Sequence, residues 1–255
     1  MVHTKFMQIM VSAVAALPLC CTAAQGTAKA APDDLTGTWQ RDYVASNFLP
    51  QVDSKSTDKV FKLGDGTVIP LRPEAEKVYR QRVAMGETAQ VFANTTARCL
   101  PLGTPQNMMG APPYPIRIVQ TADFIAILLE EGWEFRAIYV GGKHPQEMLP
   151  SFMGHSIAHW EGKTLVIDTV GLRAETTLNF TGLPHSEQMR VVERIRRTAP
   201  DVLEDLIEIH DPQMYSKPFT FKSVFNRTKQ EQIEYICEDS RIQVTPDGRQ
   251  SYHAP

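Results

Sequence analysis

Apolar and polar residues alternate with a period of two over much of the chain, the pattern of half-buried strands. The strongest instance is Gly154–Leu172, GHSIAHWEGKTLVIDTVGL. Its β-rich runs His155–Trp160 and Thr164–Gly171 flank a short turn containing Gly162, which predicts a hairpin. Upstream, Ile116–Gln120, Phe124–Glu130 and Trp133–Val140 read as a three-strand meander turning at Ala122-Asp123 and Glu131-Gly132. Leu35–Asp42 reads as an opening strand whose Trp39 plugs one end of a core. Downstream, Met189–Thr198, Leu203–His210 and Phe219–Asn226 read as further strands, and Gln232–Glu238 brings Cys237 back. In the first of these, Val191, Glu193 and Ile195 share one face. Glu193 is expected to point inward, where a buried carboxylate needs a facing arginine or histidine.

One stretch departs from the strand pattern. Leu71–Gly86 carries Ala75, Val78, Tyr79, Arg82 and Val83 at helical spacing, with Pro73 suited to a first turn. It predicts a helix on the outside of a sheet. Arg98–Pro115 carries five prolines, which predicts an irregular segment, either a lid over a site or a cover over a barrel end. At least eight strands, one helix and few long crossovers predict an all-β, mainly antiparallel fold: a lipocalin-like closed β-barrel. The barrel domain is expected over residues 31–240, followed by a flexible polar tail at 241–255.

The N-terminus alters the picture of where this barrel works. Lys5 precedes an apolar stretch from about Ile9 to Leu19, and Ala28-Lys29-Ala30 ends in small residues. Residues 1–30 therefore read as a secretory signal peptide cleaved after Ala30, too short in its apolar part to span a membrane. Cys20 and Cys21 raise a lipoprotein alternative, but Leu19 and Cys20 stand where a small residue would precede the lipidated cysteine. Export to the periplasm or medium is the expectation. Cleavage takes two lysines and no acid from 26 basic and 29 acidic residues, leaving a net charge of −5. That balance, with no Arg/Lys-rich stripe, excludes a nucleic-acid surface. Two of the four cysteines also leave with the leader. Cys99 and Cys237 are then the one intramolecular disulfide available, the alternative being two buried thiols.

The hairpin sets the candidate chemistry. A loop of Glu161-Gly162 pairs His155 with Asp168 across the strands, close enough for a carboxylate to orient an imidazole. A loop of Gly162-Lys163 shifts the register by two and separates them. Such a pair is either a structural hydrogen bond or a general acid–base pair. Ser156 points to the opposite face from His155, so a serine nucleophile beside it is not expected.

The string Met153–Gly171, with Glu134-Phe-Arg-x-Ile-Tyr139, His144-Pro145, His185-Ser186, Val191-Val-Glu-Arg194, Asp211-Pro212 and Tyr235-Ile-Cys-Glu238, resembles a family of exported, largely uncharacterised bacterial proteins. The resemblance spans about Arg98 to Glu238. It implies an extracytoplasmic, β-rich, lipocalin-like protein and carries no activity with it. Lys163 replaces the acidic residue expected after the hairpin glycine, which changes the turn but not the strand faces.

Two functions follow from these residue types. The first is an exported barrel enzyme performing cofactor-independent proton transfer (lyase, isomerase, cyclase or hydratase chemistry) on a small hydrophobic or aromatic molecule. His155 would be the base, supported by Asp168; His185 or Glu193 would be the acid, and Arg136 or Tyr139 would hold a developing oxyanion. Tyr139, Trp160, Tyr114, Met108, Met109 and Trp133 supply an apolar or aromatic lining. The second is a non-catalytic binding module in which the same groups orient a ligand. No cofactor motif is present, and a metal site from His144, His155, His185 and Asp168 lacks metal-type spacing.

Overall fold

The computed structural model describes residues 31–47, 61–85, 95, 99–109, 114–180, 182–237, 242–244 and 250–252. The expected leader over residues 1–30, with Cys20 and Cys21, and also Gly86 and Glu238 lie outside these. Nine strands close into a barrel: β1 (Gly37–Arg41), β2 (Ile116–Gln120), β3 (Phe124–Leu129), β4 (Glu134–Val140), β5 (His155–Glu161), β6 (Thr164–Val170), β7 (Arg190–Ala199), β8 (Val202–His210) and β9 (Phe219–Arg227). The all-β, lipocalin-like barrel expected from the alternation is present. All neighbouring pairs are antiparallel except β4 and β5, which run parallel. A parallel pair cannot be joined by a tight turn, so residues 141–154 form a long strap returning the chain to the other end.

At one end, short turns connect β2 to β3, β5 to β6 and β7 to β8. Trp39 fills the core near this end, fully buried, its indole donating to the Leu35 carbonyl at 3.0 Å. The Arg227 guanidinium stacks 4.2 Å from the Trp39 ring and seals it from solvent. The opposite end is closed by the proline-rich segment. Gly103, Thr104 and the short helix α2 (Gln106–Met109) are buried there, and the Ser223 hydroxyl of β9 donates to the Met108 carbonyl at 2.8 Å. The segment is thus a cover over the barrel end, and it is helical over one turn where its prolines predicted none. Gly103 makes the close approach possible. Its φ is +80°, and a β-carbon there would sit 2.8 Å from the Phe152 carbonyl oxygen.

The helix α1 (Pro73–Ala84) begins on Pro73 and buries Ala75, Tyr79 and Val83. It lies outside the barrel wall but docks on the loops of the covered end. Asn179 donates to the Tyr79 hydroxyl at 2.9 Å, and Arg82 donates to the Gly182 carbonyl at 2.7 Å. The expected strand from Trp133 starts at Glu134, because Glu131–Trp133 form a 3-10 turn. In the tail, β10 (Ile242–Val244) pairs with β11 (Gln250–Tyr252).

Cys99 and Cys237 are joined by a disulfide with a sequence separation of 138. Among the described residues no helix is long and apolar enough to cross a membrane. In the chain-entropy account, opening a loop of this length frees about 5 kcal/mol of denatured-state entropy. Cys99→Ser with Cys237→Ser is therefore expected to destabilise the protein by as much as ~5 kcal/mol, read from urea unfolding with and without reductant.

Candidate functional site

Turn chemistry decides where the hairpin residues go. Glu161 pairs with Thr164, His159 with Val166, Ile157 with Asp168 and His155 with Val170. The loop is Gly162-Lys163, so the direct His155–Asp168 pairing over Glu161-Gly162 does not form. Both primed turns need a positive φ at the first loop residue; Gly162 adopts +60°, whereas glutamate there would be strained.

His155 and Asp168 still share the outer face of the barrel, offset by one pair, and the strap fills the gap. His144 Nδ1 lies 2.9 Å from His155 Nδ1, and His144 Nε2 lies 3.6 Å from Asp168 Oδ2. Arg190 grips Asp168 with two hydrogen bonds of 2.7 and 2.8 Å. Tyr139 stacks on His155 with ring centroids 5.4 Å apart. Of the two Nδ1 atoms one donates and the other accepts, while His144 Nε2, buried and without a hydrogen-bond partner, stands against Asp168 only as a longer charge contact. Burial lowers the His155 pKa, and the adjoining His144 lowers it further. Burial of Asp168 is outweighed by Arg190 and His144, which hold its carboxyl below the usual range. Because these five side chains line the outside of the wall, they do not meet the lumen.

His185 occupies a third place. It is buried in the loop before β7, where its Nδ1–H donates to the Ser186 carbonyl at 3.1 Å and its Nε2 lies 2.6 Å from the Thr176 hydroxyl. Burial lowers its pKa and keeps it neutral. The Ser186 backbone N–H and hydroxyl both donate to Asp211, which fixes this corner. The expected constellation is therefore divided: Arg136 and Glu193 within the barrel, His155, Asp168 and Tyr139 outside it, and His185 in a loop. Trp160 packs partly buried against the core, and its indole nitrogen has no acceptor. Of Trp133 only the backbone is described.

The lumen holds the most unusual chemistry in the molecule. Glu193 is 0 % exposed and paired with Arg136, itself 1 % exposed. Arg136 Nη1 donates to Glu193 Oε1 at 2.8 Å and Nη2 also donates to Glu193 Oε2. Nη2 donates to Thr169 Oγ1 at 2.7 Å and Nε to Ser156 Oγ at 3.1 Å, and the two hydroxyls are 2.8 Å apart. This network is satisfied, as a buried ion pair must be.

Two charged residues beside it were not singled out from the sequence. Arg41, the last residue of β1, points inward over the Phe225 ring at 5.0 Å and donates to Ser223 Oγ at 3.2 Å and the Asn107 carbonyl at 3.4 Å. Burial lowers its pKa to about 10, so it remains a cation at neutral pH. Asp205 is 1 % exposed, and neither carboxylate oxygen has a hydrogen-bond partner. It stands opposite Ser223 across β8 and β9. Burial raises its pKa well above the usual range, with Glu193 adding to the effect and Arg136 and Arg41 opposing it. The signal for both was available: Trp39 and Arg41 share a face by period two, and Asp205 interrupts the inward row Leu203, Ile207, Ile209 as Glu193 interrupts its own.

Above this cluster, the cover contributes Gln106 and Asn107, 0 % and 1 % exposed. Neither amide atom of Gln106 has a partner, nor has Asn107 Oδ1. Asn107 also lines a small cavity of ≈ 20 Å³, room for about one water, together with Tyr114, Leu102, Glu130 and Glu134. Desolvation raises the Glu134 pKa to about 7 there. Among the described residues no group of three or more His, Cys, Asp or Glu side chains is arranged to hold a metal.

Fold and site together define a lipocalin-like closed barrel with a charged cluster inside its wall. No family model matches this sequence, and no curated protein matches it.

Removing one partner of a buried ion pair leaves an uncompensated charge, at a cost of about 3–5 kcal/mol. Arg136→Met and Glu193→Leu are each expected to destabilise by that amount. The double variant should cost well under the sum, so a double-mutant cycle in urea reports strong coupling.

Asp205 carries the opposite expectation. A carboxyl with a raised folded-state pKa favours folding below its unfolded value of about 3.9 and loses that contribution as pH rises through the folded value. Asp205→Asn is therefore expected to raise Tm at pH 7.5 by at least ~2 °C, with the gain vanishing towards pH 3.5. An unchanged gap across that range in thermal scans would show that Asp205 titrates normally.

Proposed function

We propose that this protein is an exported small-molecule barrel whose site is the lumen cluster Arg41, Arg136, Glu193 and Asp205 beneath the Gln106–Met109 cover. The observation carrying this reading is Asp205: a fully buried carboxylate with both oxygens unpartnered, facing two guanidiniums. Buried polar groups are ordinarily hydrogen-bonded, and sites that bind small molecules combine an apolar wall with a few convergent polar groups. The apolar wall here includes Phe221, Phe225, Ile207 and Ile138, all buried. The disulfide supports an oxidising compartment, and the leader and the resemblance of the Met153–Gly171 string support export.

A second reading, proton-transfer catalysis in the same lumen, is favoured by the raised pKa of Asp205, a buried carboxyl beside the Arg136–Glu193 pair. A carboxyl whose surroundings raise its pKa is suited to act as a general acid. Asp205 and Glu193, with Arg41 or Arg136 opposite, would then do what His155, Asp168 and His185 were expected to do. The outer histidines serve this reading as anchors of the strap.

The test is binding of N-phenyl-1-naphthylamine, a neutral aromatic reporter, followed by fluorescence and by methyl NMR. Stoichiometric binding that shifts the methyls of Ile138 and Ile207 and survives His155→Ala is the expected result. Shifts confined to Tyr139 and the strap, with binding lost in His155→Ala, would move the site to the outer wall.

A further inference from the structure

The unpartnered atoms of the lumen are unequal in kind, and that inequality points to a ligand class. Asp205 offers two carboxylate oxygens without partners, and the cover adds Asn107 Oδ1 and Gln106 Oε1; the donors without partners here are the Gln106 amide nitrogen and, on β5, the Trp160 indole nitrogen. Acceptors are thus in excess. With Asp205 ionised the formal charge is balanced, because Arg41 and Arg136 stand against Glu193 and Asp205. An anionic head would meet two carboxylates, and a cationic head two guanidiniums, each desolvated and costly to leave unmatched. A hydroxyl avoids both penalties. It donates to Asp205 when that group is ionised, and it both donates and accepts when Asp205 is protonated.

The surroundings of that polar spot are apolar and aromatic. Ile207 lies opposite Phe221 across β8 and β9, one inward position beyond the Asp205–Ser223 pair, and Phe225 lies one position to the other side. Resting on the lumen reading above, we infer that the ligand is an uncharged hydroxyl on an apolar or aromatic body, a phenol or a hydrophobic alcohol. Its hydroxyl donates to Asp205, and its body lies against the phenylalanines of β9. Arg136 and Glu193 satisfy each other and set the field without contacting the hydroxyl directly.

The test is a calorimetric titration of the full disulfide-bonded protein at pH 7 with four probes sharing one ring: p-cresol, toluene, p-toluate and 4-methylbenzylammonium. A hydrogen bond to a buried charged group corresponds to roughly tenfold or more in affinity. p-Cresol is expected to bind at least ~10-fold more tightly than each of the other three. Asp205→Leu is expected to bring p-cresol down to the toluene value while toluene binding is kept. Should that variant not fold, the wild-type series still decides. Equal affinities for p-cresol and toluene, or tighter binding of either ion, would overturn the hydroxyl assignment and leave the lumen as a site. Failure of all four probes to bind would sink the lumen reading and the hydroxyl assignment with it.

Discussion

The buried Arg136–Glu193 pair is the interaction on which the barrel closes. Its strands are not joined equally: β7 and β8 share nine register pairs, whereas β4 and β5 share three. Parallel pairing is also slightly weaker per residue than antiparallel. Arg136 stands on β4, and its hydrogen bonds reach Ser156 on β5, Thr169 on β6 and Glu193 on β7. One guanidinium thus ties four consecutive strands across the weakest antiparallel-to-parallel junction. Its planar fork of donors, which lysine lacks, is what allows three partners to be held at once.

The second short seam is treated the same way. β1 shares three register pairs with β2 and three with β9. At one end of β1, Arg227 covers Trp39; at the other, Arg41 reaches Ser223 on β9 and the backbone of the cover. Two buried arginines therefore bridge two of the three places where backbone pairing is sparse, β4 with β5 and β1 with β9. Asp205 feels both of them without bonding either. A fold needing only closure would gain by replacing that carboxylate with an apolar side chain, since buried ion networks are often no better than well-packed hydrophobes. The cost carried by Asp205 is what a binding site looks like in a stability account.

Much of the strand pattern is legible in the sequence because period two is imposed by the pleat itself: Val191, Glu193 and Ile195 had to share a face, and Glu193 had to find a partner. The disulfide was legible because a leader expected over residues 1–30 would take Cys20 and Cys21 and leave Cys99 and Cys237. The hairpin register was not, because it depends on which residue beside Gly162 completes the loop, and that is settled by the φ demanded at its first position. The parallel β4–β5 pairing was hidden for a different reason. Nothing in Glu134–Val140 or His155–Glu161 encodes direction, and only the length of the intervening strap allows it. Arg41 and Asp205 carried a readable signal, an inward charge in an apolar row, that was outweighed by the conspicuous histidines of the Gly154–Leu172 string.

Those histidines follow from the parallel seam. A strand that pairs parallel with its predecessor obliges the chain to travel the length of the barrel, and residues 141–154 do so along the outer wall. Such a segment has few backbone partners: Gly141 bonds Ala158, Ser151 bonds Gly171 and Arg173, and the Phe152 carbonyl accepts from Thr104. Between these points His144 supplies the anchor, its ring wedged between His155 and Asp168, with Arg190 keeping Asp168 ionised and aimed. Two imidazoles 2.9 Å apart through their Nδ1 atoms share one proton comfortably and two badly. The histidines around the central hairpin are therefore explained by topology, and the lumen holds the groups that topology leaves unexplained.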